Sequence, residues 1–211
     1  MARYVGCCNE MGRTILMFVF SQPVVHEPLT RDPRPTWEAM EKLNDSGKAH
    51  SIGVSNWTIF GLETMLKYAR IPPAVNQVEI HPLLPNQKLV DYCKTKNIKL
   101  AAYSPLGGQG KDNPLFNDEK LQKTAEAHKH NIVQVLIAYG LKRGYAVLPK
   151  SFTPERIEAN LKIVNLSDEE FKAVEEAVGD RRKRTCPYYA SKKMDQEWLA
   201  DLWKRSEEES A

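Results

Sequence analysis

Short apolar runs of β type alternate with amphipathic helical stretches along most of this chain, and that alternation restricts the fold more than any other feature. Ile15–Phe20 reads as a buried strand. Thr36 to Lys48 reads as a helix opened by Pro35, with Trp37, Met40 and Leu43 on one face and Gly47 as a stop. Ile52–Asn56 is strand-like, and Leu62, Met65, Leu66 and Ala69 then fall at helical spacing. The pattern repeats with a strand at Ala74–Ile80, a helix marked by Leu89, Tyr92 and Cys93, and a strand at Lys99–Tyr103. A loop from Gly107 to Asn117 precedes two helical stretches, the second (Val133 to Leu141) capped by Asn131. Ala146–Pro149 is the last strand. Thr153-Pro154 opens a helix through Ile157, Leu161 and Val164, and Ser167 to Glu170 forms a capping box ahead of Phe171, Val174 and Val178, with Gly179 as the stop. A basic run, Arg181–Arg184, leads to a last amphipathic stretch around Met194, Trp198, Leu202 and Trp203.

Strands that are apolar on both faces and separated by helices point to a parallel sheet covered by helices. Two architectures satisfy that: an open doubly wound sheet and a (β/α)8 barrel. No G-x-G-x-x-G follows a strand, and Gly107-Gly108-Gln109-Gly110 sits in a long loop, which counts against the dinucleotide-binding open sheet. Polar residues instead collect where strands end: Ser55-Asn56, Gln77, Tyr103-Ser104 and Lys150-Ser151. Barrel enzymes place their sites at that mouth. The expectation is α/β, an incomplete (β/α)8 TIM barrel of about the last five βα units with a helical C-terminal tail.

Composition removes other classes. Thirty basic against twenty-seven acidic residues give +3, too small a bias for nucleic acid or anionic lipid. Four cysteines without C-x-x-C or zinc spacing argue against a disulfide scaffold or structural metal and fit a reducing, cytoplasmic setting. The longest apolar run has six residues, far short of the ~20 that cross a bilayer.

At its strand ends the sequence resembles the aldo-keto reductase superfamily. The stretches that carry the resemblance are TWEAMEKLNDSGKAHSIGVSNW (36–57), PPAVNQVEIHPLLPNQKLVDYCK (72–94), LAAYSPLG (100–107) and VLPKSFTPERIEANL (147–161). The resemblance covers roughly residues 33–180, leaving 1–32 as an atypical N-terminal segment with one possible strand and 181–211 as a tail. It implies an NADP-dependent barrel that reduces aldehydes and ketones to alcohols, or the reverse, acting on a small-molecule carbonyl or alcohol and on neither nucleic acid nor membrane. It also implies the site residues. Ser55, Asn56 and Gln77 hold the nicotinamide carboxamide, and Tyr103 lays its ring on the nicotinamide, with Ser104 and Leu106 beside it. Lys150, Ser151, Thr153 and Arg156 form the receptor for the 2′-phosphate of NADP at a helix start, Asn160 meets the adenine, and Trp57 flanks the substrate. Where the family carries an acidic residue before that Asn, this chain has Ala159, with Glu158 one position earlier.

Each residue has a plainer reading beside the functional one. Ser55-Asn56 suits a turn and helix cap, Tyr103 a core position, and Lys150 and Arg156 solvated surface charge. His81, between Glu79 and Pro82, reads as a hydrogen-bonded structural histidine rather than a ligand or base. Arg181–Arg184 also has the look of a nuclear-import run.

The family's catalytic set is a general-acid tyrosine tuned by a lysine and an aspartate, with a histidine orienting the carbonyl. Those residues lie on early βα units that do not fit into the fourteen residues before Ile15, and Ser21 stands where the histidine is expected, with His26 out of register. No catalytic residue is therefore assigned. An NADP-binding sensor or interaction protein, or a nonfunctional fragment, is the alternative. A barrel lacking units has open sheet edges, which predicts self-association.

Overall fold

The computed structural model describes residues 32–108, 113–179, 181 and 183–185, together with the backbone of two strands at 3–8 and 14–21. Cys186, Pro187, Tyr188, Tyr189 and the stretch from Met194 to Trp203 lie outside the described residues, as do His26, Gly110 and the side chains of Cys7 and Cys8. The described residues divide between two compact units, one within 1–78 and 86–100, the other within 79–85 and 101–185.

The first unit carries β1 (Arg3–Cys8), β2 (Thr14–Ser21), β3 (Ser51–Ser55), most of β4 (Val75–Glu79) and the start of β5 (Lys99–Tyr103), with helices α1 (Arg34–Asp45), α2 (Ile59–Leu66) and α3 (Gln87–Thr95). β2 runs parallel to β3, with Ser21 level with Ser55, and β3 runs parallel to β4, with Ser55 level with Gln77. These pairings carry the parallel α/β expectation. β1 corrects it at one point, because it pairs antiparallel with β2 from Arg3↔Val19 to Cys8↔Thr14. β1 thus covers residues 14–19 along one side of β2. Trp37, Ile52, Val54, Leu62 and Met65 are fully buried, and each contributes roughly 1.5–3 kcal/mol of transfer free energy. Trp37 also donates its indole N–H to the Ile71 carbonyl (3.1 Å), while the Glu41 carboxylate accepts the Ile71 N–H (2.9 Å), fastening the turn into β4 against α1.

The second unit carries the rest of β5, β6 (Ala146–Leu148) and helices α4 (Glu119–Ala127), α5 (Ile132–Lys142), α6 (Pro154–Asn160) and α7 (Asp168–Val178). β5 and β6 are parallel, with Tyr103 level with Leu148. Leu115, Leu121, Val135, Leu136, Tyr139 and Val174 form its core, and the Tyr139 and Phe171 rings stack at 4.9 Å. Two of the helix starts expected from sequence carry capping boxes: Asn131 with Gln134, and Ser167 with Glu170. The helix expected to run to Val164 stops at Asn160. Its periodicity misleads because Val164 is buried in the core while Leu161 is 77% exposed. Gln134 draws the chain out of the helix by donating to the carbonyls of Ala159 (2.9 Å) and Lys162 (3.3 Å).

Candidate functional site

In the first unit Ser55 ends β3, Asn56 follows it, and Gln77 is the middle residue of β4. The Ser55 hydroxyl donates to the Gln77 carbonyl (2.8 Å), and the Asn56 N–H donates to the same oxygen (2.9 Å). Asn56 takes φ +60°, the left-handed conformation asparagine tolerates best among residues with a Cβ, and its amide donates to Ser55 Oγ (3.3 Å). The turn half of the plainer reading is thus real, but the cap is not Ser55 or Asn56. Thr58 caps α2, its hydroxyl accepting the Gly61 N–H (3.2 Å). Since Ser55 gives its proton to backbone, it can meet a further polar group only as an acceptor. Gln77 is half-buried. Trp57, expected to flank a substrate, is 4% exposed, and its carbonyl accepts from the Asn76 amide (2.9 Å).

The close fit of β3 to β4 comes from a glycine. A Cβ on Gly53 would lie 2.4 Å from Val75 Cγ1 and 2.7 Å from the Val75 carbonyl oxygen, so only glycine lets the strands stand at this spacing.

In the second unit Tyr103 ends β5 half-buried, after Ala101 and Ala102, which are buried. Ser104 follows at φ +48°, a conformation that costs a non-glycine residue about 1–3 kcal/mol and recurs where backbone is shaped for a ligand. Leu106 packs its side chain against the unit's core, and its carbonyl accepts from the buried Asn113 amide (2.7 Å).

The segment leaving β6 holds the cations. Lys150 and Arg156 are exposed, Ser151 is half-buried, Thr153 is exposed, and the Thr153 N–H donates to Ser151 Oγ (3.2 Å). Among the described residues, neither Lys150 nor Arg156 meets a carboxylate at ion-pair distance, whereas Glu158 is taken up by Lys162 (3.0 Å). Lys150 lies in the coil after β6 and Arg156 in the first turn of α6, so both positive charges stand without a carboxylate at ion-pair distance among the described residues. Asn160 is half-buried at the end of α6, where it lines a groove of about 350 Å³ with Val147, Ile157 and Leu161. Sequence reasoning missed Gln134, which anchors α6, and Phe152, whose ring lies under the Lys150 ammonium at 3.6 Å from its centroid. Gln134 was readable only as the third residue of a capping box, and an exposed Phe152 carries no periodic signal.

His81 is the structural histidine expected. It is buried, with Nε2 3.0 Å from Glu79 Oε1, and the same oxygen accepts from the N–H (2.6 Å) and hydroxyl (2.7 Å) of Thr185. Burial pushes the Glu79 carboxyl up, but these hydrogen bonds outweigh it and hold the group below its usual range. Lys183 donates its N–H to the Leu83 carbonyl (2.9 Å), so residues 183–185 are strapped to the stretch after β4.

A model of the aldo/keto reductase family matches residues 17–178. The chain is 49% identical to a glycerol 2-dehydrogenase (NADP(+)) of Hypocrea jecorina, over 76% of this chain and 52% of that protein. To the glyoxal reductase of Bacillus subtilis it is 40% identical, over 75% of this chain and 57% of that protein. Among solved structures, the aldose reductase of Giardia lamblia matches with a TM-score of 0.69 at 37% identity, over 86% of this chain and 58% of that one. A Bombyx mori aldo-keto reductase in complex with NADP matches with a TM-score of 0.73 at 28% identity, over 82% and 59%. The chain spans about half the length of the curated relatives it matches.

Proposed function

Because the chain belongs to the aldo/keto reductase family, we propose that it binds NADP and serves the interconversion of aldehydes or ketones with alcohols. The observation that carries this reading is the pair of cations after β6, Lys150 and Arg156, left without carboxylate partners among the described residues. NADP differs from NAD by one phosphate. A planar guanidinium and a compact ammonium suit its oxygens, and a charge-assisted bond is worth about 1.5–3 kcal/mol. Ser151 Oγ accepts from backbone, so its own proton is available to a phosphate oxygen, and Thr153 supplies a second hydroxyl. Asn160 is assigned to the adenine, and Tyr103, with Ser104 and Leu106 after it, to the nicotinamide ring. In the first unit, Ser55 as acceptor, Asn56 and Gln77 are assigned to the carboxamide. The nicotinamide, when bound, supplies or accepts the hydride; this chain's residues bind and orient. The NADP(+) in the name of the Hypocrea jecorina glycerol 2-dehydrogenase and the NADP in the Bombyx mori structure support the assignment.

Titrating the chain with NADPH and following its absorbance with a generic aldehyde tests the proposal. Binding with turnover supports the reductase, and absence of both refutes it. Binding without turnover supports the second reading, an NADP-binding sensor. That reading is favoured by Ser21, which stands where the family's histidine is expected and lies level with Ser55 in the β2–β3 pairing. The charge balance and the cysteine usage support a small-molecule substrate in a reducing, cytoplasmic compartment. No helix among the described residues is long and apolar enough to cross a membrane. Among the described residues β6 pairs only with β5, and Leu148, Ile157, Leu161 and Ile163 are exposed nearby in sequence; this supports self-association, which light scattering reads directly.

A further inference from the structure

We propose that Phe152 is a positioning residue of the 2′-phosphate site, its ring holding the Lys150 ammonium in place for the phosphate and so adding to the preference for NADP over NAD. The inference rests on the reading of Lys150 and Arg156 as phosphate cations. Phe152 is 85% exposed, more than any other large apolar side chain among the described residues, so core packing does not explain it. Instead its ring centroid lies 3.6 Å from Lys150 Nζ, well inside the ~6 Å range of a cation–π contact. The backbone on either side is fixed. The Thr153 N–H donates to Ser151 Oγ across Phe152, and the Thr153 carbonyl accepts from the N–H groups of Arg156 (3.1 Å) and Ile157 (3.0 Å). Pro149, before Lys150, restricts the chain at the other end.

An aromatic ring differs from the usual lysine partner in one respect that matters to an anion site. A carboxylate would orient the ammonium but also neutralise it, and the phosphate would have to displace it. The ring face orients the ammonium and leaves its charge intact. A lysine free to sample all its rotamers loses that freedom on binding, so one already settled on a ring gives up less. The effect belongs only to ligands that carry the 2′-phosphate.

Calorimetric titration of the full chain with 2′,5′-ADP and with 5′-ADP tests this in the wild type and in F152L, F152Y, K150A and K150A/F152L. We expect F152L to weaken 2′,5′-ADP about two- to five-fold, the scale of an exposed cation–π contact. We expect it to leave 5′-ADP unchanged, F152Y to restore the loss, and F152L to have no further effect once Lys150 is gone. Unchanged 2′,5′-ADP affinity in F152L overturns the inference, as does an equal loss for both ligands or the same loss in the K150A background. If K150A itself leaves 2′,5′-ADP affinity unchanged, the phosphate reading falls, and the inference with it; F152L failing while K150A weakens binding sinks the inference alone.

Discussion

Replacing Gly53 by alanine tests whether the β3–β4 spacing sets the Ser55–Asn56–Gln77 group. The new Cβ would sit 2.4 Å from Val75 Cγ1 and 2.7 Å from the Val75 carbonyl oxygen. Relief requires about 1 Å of movement, and the backbone oxygen cannot move without shifting β4. Overpacking of this kind costs about 1–3 kcal/mol. The same displacement stretches the Ser55 Oγ and Asn56 N–H bonds to the Gln77 carbonyl, now 2.8 and 2.9 Å, at about 1 kcal/mol each. Alanine stiffens the unfolded chain and returns about 0.4–1 kcal/mol. The net loss is about 2–5 kcal/mol, which at a urea slope near 2 kcal/mol per molar lowers the midpoint by roughly 1–2.5 M. The double variant G53A/V75A removes the Cγ1 clash and keeps the carbonyl clash, so it should be less destabilised than the two single changes summed, yet not restored. A G53A midpoint equal to wild type, or strict additivity in the double variant, would refute the reasoning.

Other consequences follow from single contacts. Gln134→Ala removes the two bonds that hold the end of α6, a helix with no buried residue of its own, so it should weaken 2′,5′-ADP binding several-fold and lower the urea midpoint; an unchanged affinity contradicts the anchoring role. Glu79 titrates below its ordinary value of 4.5, so its hydrogen bonds stabilise the strap at 183–185 fully above that value and lose this contribution as pH falls through the folded value. Hydrogen exchange at the Thr185 amide should therefore accelerate on acidification beyond the intrinsic trend, and E79Q should abolish that dependence; a pH-independent protection factor in the wild type contradicts it. Ser167→Ala breaks a capping box and should cost about 1 kcal/mol by chemical denaturation, against no change if α7 were held by packing alone.

The helices and parallel strands were legible because their signals are local. Asn131 and Ser167 announce helix starts through the residue three positions on, and β5 is bounded by polar residues on both sides. β1 was not legible: Arg3–Cys8 contains a glycine and paired cysteines with no alternation, and only its pairing with β2 makes it a strand. The end of α6 was misread because Ile157, Leu161 and Val164 have helical spacing, whereas the chain turns out at Asn160 to bury Val164 alone. In the candidate site, residue types at strand ends were readable from sequence, but their bonding was not. That Ser55 spends its proton on Gln77, that Thr58 and not Ser55 caps α2, and that Trp57 is buried depend on contacts between β3, β4 and α2. Phe152 under Lys150 is likewise a tertiary arrangement.

Lys150 and Arg156 are proposed to hold the 2′-phosphate of NADP. Calorimetric titration of NADP against the wild type and the K150A/R156A variant measures this directly. With each charge-assisted contact worth about 1.5–3 kcal/mol, the expected result is at least a hundred-fold loss of NADP affinity, with NAD affinity little altered. Equal NADP affinity in the two proteins would contradict it.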